Sequence, residues 1–249
     1  VTAVSENLKQ ETVSNFKIDN DIKAIPNFID MRLYKQECNQ LLRNKFAKKE
    51  EAILVHISNF RKVKRVHDVV KIFEKVRGQF PSKLLMIGDG PERLKAEQLC
   101  RKLGVTKDVK FLGKLKVIEK MLSIADIFLL PSETESFGLV ALEAMASKVA
   151  IISTNSGGLP EVNVEGKTGL MSDVGDVKKM AKDTLYLLTD PKNLDEFKDN
   201  LGQNFLFEKI KRNLKPKVIT DYWRCPFISD YDRNFRVTFD DSLKIKKTP

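Results

Sequence analysis

Short runs rich in Val, Ile and Leu punctuate the chain at 53–58 (ILVHIS), 83–88 (KLLMIG), 109–113 (VKFLG), 126–131 (DIFLLP) and 149–154 (VAIIST). Runs this short and this continuously apolar predict strands buried on both faces, as in a parallel sheet. Between them apolar positions return at helical spacing: Val66, Val69, Val70 and Phe73; Leu94, Leu99 and Leu103; Ile118, Leu122 and Ile124; Leu139, Leu142 and Met145. Strand and helix therefore alternate, and right-handed crossovers turn such a series into an α/β, Rossmann-like, doubly wound parallel sheet. Ligands of these sheets bind beyond the carboxyl ends of the strands, which singles out 58–65, 88–92, 113–116, 131–139 and 154–161.

Two more helices are expected, at 176–189 with Asp176 as N-cap and at 191–210 with Pro191 in its first turn. Residues 1–5 read as a strand entering a helix capped by Ser5. Residues 211–249 mix Lys, Asp, aromatics and prolines without a period, and no internal repeat is found. The expected organisation is thus 1–30 as the remnant of a preceding domain and hinge, 31–210 as the sheet domain, and 211–249 as a divergent tail.

Composition narrows the class. With 249 residues, 42% hydrophobic and 31% charged, the chain is long enough for a large core and is no disordered tail or disulfide mini-protein. No run approaches the roughly 18 apolar residues of a membrane span, and the first residues lack the profile of a secretory signal, so a cytoplasmic location is expected. Cys38, Cys100 and Cys225 share no disulfide or metal spacing and read as free thiols. The net charge of +10 raises nucleic-acid binding, but it is concentrated: residues 35–83 hold 13 Lys/Arg against 5 Asp/Glu, and residues 208–249 hold 11 against 6. No recognition motif accompanies it, so nucleic acid is not an expected partner. The cluster Arg61, Lys62, Lys64 and Arg65, just past an apolar run, can hold a phosphate by charge or can be a solvated basic helix start.

The most informative segment is PSETESFGLVALEAMA, 131–146. A helix starting near Phe137 or Gly138 leaves the amides of Gly138, Leu139 and Val140 unpaired and aimed at one spot, which suits a phosphate. Glu135 before the helix and Glu143 nearly two turns into it are placed to accept hydroxyls on either side of that anion. Sugars at both ends of a diphosphate fit this arrangement, as in a nucleotide sugar. A capping Glu and a surface helical Glu remain the competing account of the same spacing.

The pair Glu135/Glu143 in TESFGLVALEAMA, together with HISNFRKVKRV (56–66), GDGPE (88–92), FLGK (111–114) and STNSGGLPEV (153–162), resembles the C-terminal, donor-binding domain of GT-B fold retaining glycosyltransferases of family 4, over roughly residues 1–190. The resemblance implies that Glu135 contacts the donor sugar, that Glu143 binds the ribose hydroxyls, and that the amides from Gly138 to Val140 hold the diphosphate. It implies that Lys64 neutralises the leaving diphosphate. The companion basic position falls on Asn59, so Arg61 is the expected replacement charge. Gly113 and Lys114, with Leu115, resemble the segment that reads uracil, and Gly157, Gly158 and Leu159 resemble a loop closing over the donor. The implied donor is UDP-N-acetylglucosamine and the implied acceptor a small hydroxy acid, L-malate. Neither metal nor cofactor is implied, because preorganised cations stabilise the charge that builds on the leaving group.

Competing and departing features are also expected. Gly88, Gly90 and Pro91 can simply turn the chain from strand to helix. Lys62 and Arg65 read as solvated, His56 as a hydrogen-bonded core residue, His67 as surface, and Phe60 as a cover over either the ligand or the sheet edge. Tyr222 and Trp223 match no motif closely. The family's small-residue turn before the strand at 149–154 is replaced by Ala146-Ser147-Lys148, which predicts strain at Lys148 if that turn needs a positive φ. The acceptor pocket of a GT-B enzyme lies in an N-terminal domain absent from these residues. The alternatives are therefore a donor half that only binds nucleotide, a family member with another acceptor, and a chain that associates with copies of itself through the face a partner domain covers.

Overall fold

A computed structural model describes residues 1–17, 21–30, 33–34 and 37–202, together with the backbone of 237–239 and 245–247. Internal contacts divide the chain into two units, 1–206 and 207–249. The first unit opens with β1 (Thr2–Ala3), α1 (Glu6–Phe16) and β2 (Lys23–Ala24), β1 and β2 pairing in parallel. As the sequence predicts, Ser5 is the N-cap of α1, its hydroxyl accepting from Leu8 N at 3.0 Å. That hydroxyl donates in turn to the Ser136 carbonyl at 2.6 Å. The Glu161 carboxylate accepts from the amides of Glu6 and Asn7 at 3.0 and 2.8 Å. The free N–H groups of α1 are thus satisfied partly from elsewhere in the unit, which fastens this leading segment to the loop at 136 and the short helix that carries Glu161.

The body of the unit runs α2 (Gln40–Arg43), β3 (Ala52–Ser58), α3 (Val66–Arg77), β4 (Ser82–Gly88), α4 (Arg93–Lys102), β5 (Val109–Gly113), α5 (Glu119–Leu122), β6 (Ile127–Leu130), α6 (Leu139–Ala146), β7 (Ala150–Thr154), α7 (Leu159–Val162), β8 (Gly169–Ser172), α8 (Val177–Thr189) and α9 (Pro191–Gly202). The sheet is parallel throughout, in the order β5-β4-β3-β6-β7-β8. This is the doubly wound order in which the chain reverses direction between β3 and β6. All five anticipated strands are present, within a residue at either end. The sixth, β8, was not anticipated: its four residues include only Leu170 and Met171 as large apolar side chains, too weak a run to register.

Alternate strand positions feed two packed faces. Leu54, Leu84, Met86, Ile127, Leu129, Ala150 and Ile152 join Val66, Val69, Val70 and Phe73 of α3, Ala96 and Cys100 of α4, Met180 and Leu187 of α8 and Phe197 of α9 in one buried cluster. The intervening positions Ile53, Val55, Leu85, Ile87, Phe128 and Ile151 are buried too, and α6 packs on β6 and β7 beside α5. Strands covered on both faces explain the unbroken apolar runs of the sequence. Asp176 caps α8 as expected, accepting from Lys179 N at 2.9 Å. The helix expected at 191–210 is described to Gly202, and its remainder lies outside the described residues.

The turn from α6 into β7 confirms the strain anticipated at Lys148. Its φ is +57; its amide donates to Met145 O at 2.9 Å and that of Val149 to Ala144 O at 3.0 Å. This is the paired C-terminal closure that ordinarily carries glycine at its left-handed position. Replacing Lys148 with Gly should therefore stabilise the chain by about 1 kcal/mol, read as a higher urea midpoint at unchanged slope. An unchanged or lower midpoint would show that the lysine side chain offsets its backbone strain.

Among described residues, the second unit consists of β9 (Val237–Phe239) and β10 (Ile245–Lys247), antiparallel with Phe239 opposite Ile245. The tail that shows no period in sequence thus contains a strand pair. Cys38 is exposed and Cys100 buried, both free; Tyr222, Trp223 and Cys225 lie outside the described residues.

Candidate functional site

The site is organised by where β3 and β6 part. Only Leu54 with Ile127 and Val55 with Phe128 pair between them; beyond that point the strands diverge, and a side chain takes over the ladder's work. His56, fully buried, contacts the Leu129 carbonyl through Nδ1 at 2.8 Å and the Ser58 hydroxyl through Nε2 at 2.8 Å. A carbonyl can only accept, so Nδ1 carries the proton and Nε2 accepts from Ser58. Burial, opposed by the Leu129 contact and reinforced by the positive charge of Lys64, pushes the imidazole down to about 4 and holds it neutral. The expected core role of His56 is met.

Three loops close the widened end. Glu133 N donates to Val63 O at 2.8 Å. Thr154 Oγ1 donates to Ser132 O at 2.6 Å, Ser156 Oγ to Glu133 O at 2.7 Å, and Gly158 N to Glu135 O at 2.7 Å. The segments after β3, β6 and β7 are thereby one hydrogen-bonded assembly, and Gly157–Leu159, expected over the donor, lie against the backbone of 135–137. On the other flank, a Cβ on Gly90 would come 2.0 Å from the Asn59 carbonyl. The GDGP segment is therefore a strand-to-helix turn tucked beneath the loop after β3, as its competing account held.

Within this assembly the structure joins two of the expected residues. Lys64 Nζ lies 2.6 Å from Glu135 Oε1, which also accepts from Ser132 Oγ at 2.8 Å. The pair is largely shielded, its side chains 20% and 12% exposed, whereas Ser132 is fully buried. Ser132 was not singled out from sequence, although it lies three residues before Glu135. Arg61 opens the short 3₁₀ turn that carries Lys64; it is exposed and its guanidinium has no partner among the described residues. Asn59 is exposed as well.

Gly138 is the N-cap of α6 with φ +89, a left-handed conformation that glycine adopts without strain. The first bonds accepted at this end run from Ala141 N and Leu142 N to Gly138 O, at 2.9 and 3.2 Å. The amides of Gly138, Leu139 and Val140 have no partner among the described residues. Further along the helix, Glu143 accepts from the Tyr34 hydroxyl at 2.9 Å. Burial raises the Glu143 carboxyl above its ordinary value, the Tyr34 bond opposes that rise, and the Glu119 charge adds to it. Tyr34, from an aperiodic stretch, gave no signal in the sequence.

Other expected positions lie apart. Gly113 ends the edge strand β5 and Lys114 follows it, with β4 between them and β3. No hydrogen bond or ion pair among the described residues links them to the Lys64–Glu135 pair. One reading is narrowed and one corrected. Phe60 is fully buried, stacked on His56 at 6.1 Å and edge-on to Phe111 of the edge strand β5 at 6.3 Å, with a φ of +42. Arg65 is not simply solvated, since its Nε donates to Asp68 at 2.6 Å, satisfying a carboxylate buried in α3. His67 is half-exposed, 3.5 Å from Glu92.

Positive charge also gathers outside this assembly. A groove between α3, α4 and the start of α8 is lined by Lys71, Lys75, Lys102 and Lys178 over a floor of Leu99, Leu103 and Val177. Among the described residues no three His, Cys, Asp or Glu side chains group to hold a metal ion, and no helix is long and apolar enough to cross a membrane.

The parallel sheet and its strand order agree with the comparisons to known proteins. The chain belongs to the glycosyl transferases group 1 family, whose model matches residues 39–204. It is 43% identical over 223 residues to the N-acetyl-alpha-D-glucosaminyl L-malate synthase of Bacillus anthracis, covering 89% of this chain and 58% of that protein. It is 30% identical over 221 residues to the trehalose synthase of Thermococcus litoralis, covering 83% and 52%. The chain thus spans little more than half the length of these curated relatives. The fold is shared with Anabaena HepE, solved in complex with UDP and glucose, at a TM-score of 0.81 and 20% identity over 90% of this chain and 63% of that one.

Proposed function

We propose that this chain is the donor-binding half of a retaining, metal-independent glycosyltransferase that moves N-acetylglucosamine from UDP to the hydroxyl of L-malate. The observation that carries the reading is the convergence, where β3 and β6 part, of Lys64 on Glu135 and of three unpartnered amides at the start of α6. In the free chain Lys64 is neutralised by Glu135. An arriving diphosphate, seated on the amides of Gly138, Leu139 and Val140, competes for that ammonium. Glu135 is then released to accept from the hydroxyls of the donor sugar, while Lys64, with Arg61 beside it, stabilises the charge that grows on the diphosphate as the sugar–phosphate bond breaks. In this reading Asn59, in the loop after β3, also contacts the donor, the backbone of Gly113 and Lys114 reads the base, and Glu143 accepts from ribose.

The likeness to the malate synthase, over most of this chain, supports the sugar and the acceptor; the likeness to a trehalose synthase supports, as the alternative, a family member with another acceptor. The site belongs to a soluble cytoplasmic enzyme whose acceptor pocket is completed by another domain. Titration with UDP-N-acetylglucosamine in the presence of a chelator, beside an assay of malate-dependent UDP release, tests the proposal. Tight binding with release upholds it in full. Binding without release confines it to the donor half, and failure to bind UDP-N-acetylglucosamine overturns it.

A further inference from the structure

Glu143 projects from α6 towards a residue that lies in no helix or strand, and the contact between them spans 109 positions of sequence. Tyr34 donates to Oε1 at 2.9 Å, and no bond to Oε2 is formed among the described residues. A carboxylate offers about four acceptor positions, so one oxygen held from the side leaves the other available to a vicinal pair of hydroxyls. A free glutamate side chain also loses roughly 1.5–2 kcal/mol of rotamer entropy when it is fixed. A partner that fixes it before the ligand arrives removes part of that cost from binding.

We infer that Tyr34 is a positioning residue for the donor site, holding the Glu143 carboxylate by one oxygen so that the other meets the ribose hydroxyls of the nucleotide. This rests on the reading of Glu143 as the ribose acceptor. The electrostatics agree. Burial and the Glu143 charge raise the phenol well above its ordinary value, so it stays a donor. Its bond in turn opposes the burial that favours a neutral Glu143. Glu119 of α5 is the other charged group acting on Glu143; its repulsion gives the carboxylate a further need for a neutral donor on its free side.

The test compares UDP with 2′,3′-dideoxy-UDP on the unmodified chain, Tyr34→Phe and Glu143→Gln. The unmodified chain should prefer UDP by about tenfold, as a charge-assisted hydrogen bond to ribose requires. Glu143→Gln should abolish most of that preference. Tyr34→Phe, which removes only one oxygen from a partly exposed ring, should weaken UDP by about fivefold while leaving the dideoxy nucleotide within about twofold. Equal weakening of both nucleotides by Tyr34→Phe would show a merely structural role and overturn the inference. A gain in UDP affinity would overturn it too, because the phenol would then be competing with ribose. A full preference retained by Glu143→Gln would remove the ribose reading and the inference with it, whereas its loss there alongside full retention in Tyr34→Phe would sink the inference alone.

Discussion

Replacing Lys64 with alanine is expected to weaken UDP binding roughly 30- to 100-fold while changing the affinity for uridine by less than about threefold. The asymmetry follows from what the ammonium faces. In the free chain Lys64 and Glu135 are 2.6 Å apart and mostly shielded from water, so each is the other's main counter-charge. Removing the lysine leaves Glu135, among the described residues, with only the Ser132 hydroxyl, close in sequence to the amides proposed to seat the diphosphate. The diphosphate then loses a cation and meets an uncompensated carboxylate, and both effects fall on the charged part of the ligand. Uridine has no phosphate and feels neither. The same substitution should lower the folding free energy by about 2 kcal/mol, since a half-removed shielded pair strands a charge, so affinities are to be measured well below the unfolding midpoint. Equal losses for UDP and uridine would show that Lys64 does not read phosphate.

The second large effect is a loss of stability in mild acid, traced to His56. Its folded value, pushed down to about 4, lies below the ordinary 6.5 of an unfolded histidine, so the unfolded chain binds the proton first. The resulting stability is fully present above pH 6.5, declines as pH falls from there, and is gone once pH passes below the folded value. The shift amounts to roughly 3 kcal/mol across that window. Carboxylates held below their ordinary values, Asp108 by the ammonium of Lys83 and the guanidinium of Arg77 against the cost of burial, and Glu51 chiefly by the Lys48 amide, lose their contributions lower, below about pH 4.5. Urea unfolding followed between about pH 7.5 and about pH 4.5 should show the midpoint of the unmodified chain falling steeply and that of His56→Gln nearly flat. Parallel slopes for the two chains would remove His56 as the cause.

What the sequence disclosed, and what it hid, follow from the range over which each interaction acts. The five strands were legible because burial on both faces leaves short runs dominated by Val, Ile and Leu, as in β3 and β7. The edge strand β8 was not, because one covered side needs few apolar residues. The start of α6 and its free amides were legible because glycine, helix onset and the Glu135/Glu143 spacing are all local. The closure at Lys148 was legible for the same reason, as a missing glycine at the end of a helix. The pairings Lys64–Glu135 and Tyr34–Glu143 were beyond reach: they join residues 71 and 109 positions apart, and nothing in either segment alone specifies the meeting. The burial of Phe60 against His56 and Phe111 was left open because a positive φ at a large aromatic leaves no mark in the pattern of apolar residues.

The central claim is that nucleotide diphosphate binds where β3 and β6 part, on the start of α6. Titrating the isotope-labelled chain with UDP and following backbone amide resonances addresses it directly. The largest saturable shifts should fall on Gly138, Leu139 and Val140, with smaller ones around Lys64 and Glu135. Shifts confined to the lysine-lined groove between α3, α4 and α8, with the amides of α6 unmoved, would contradict the account.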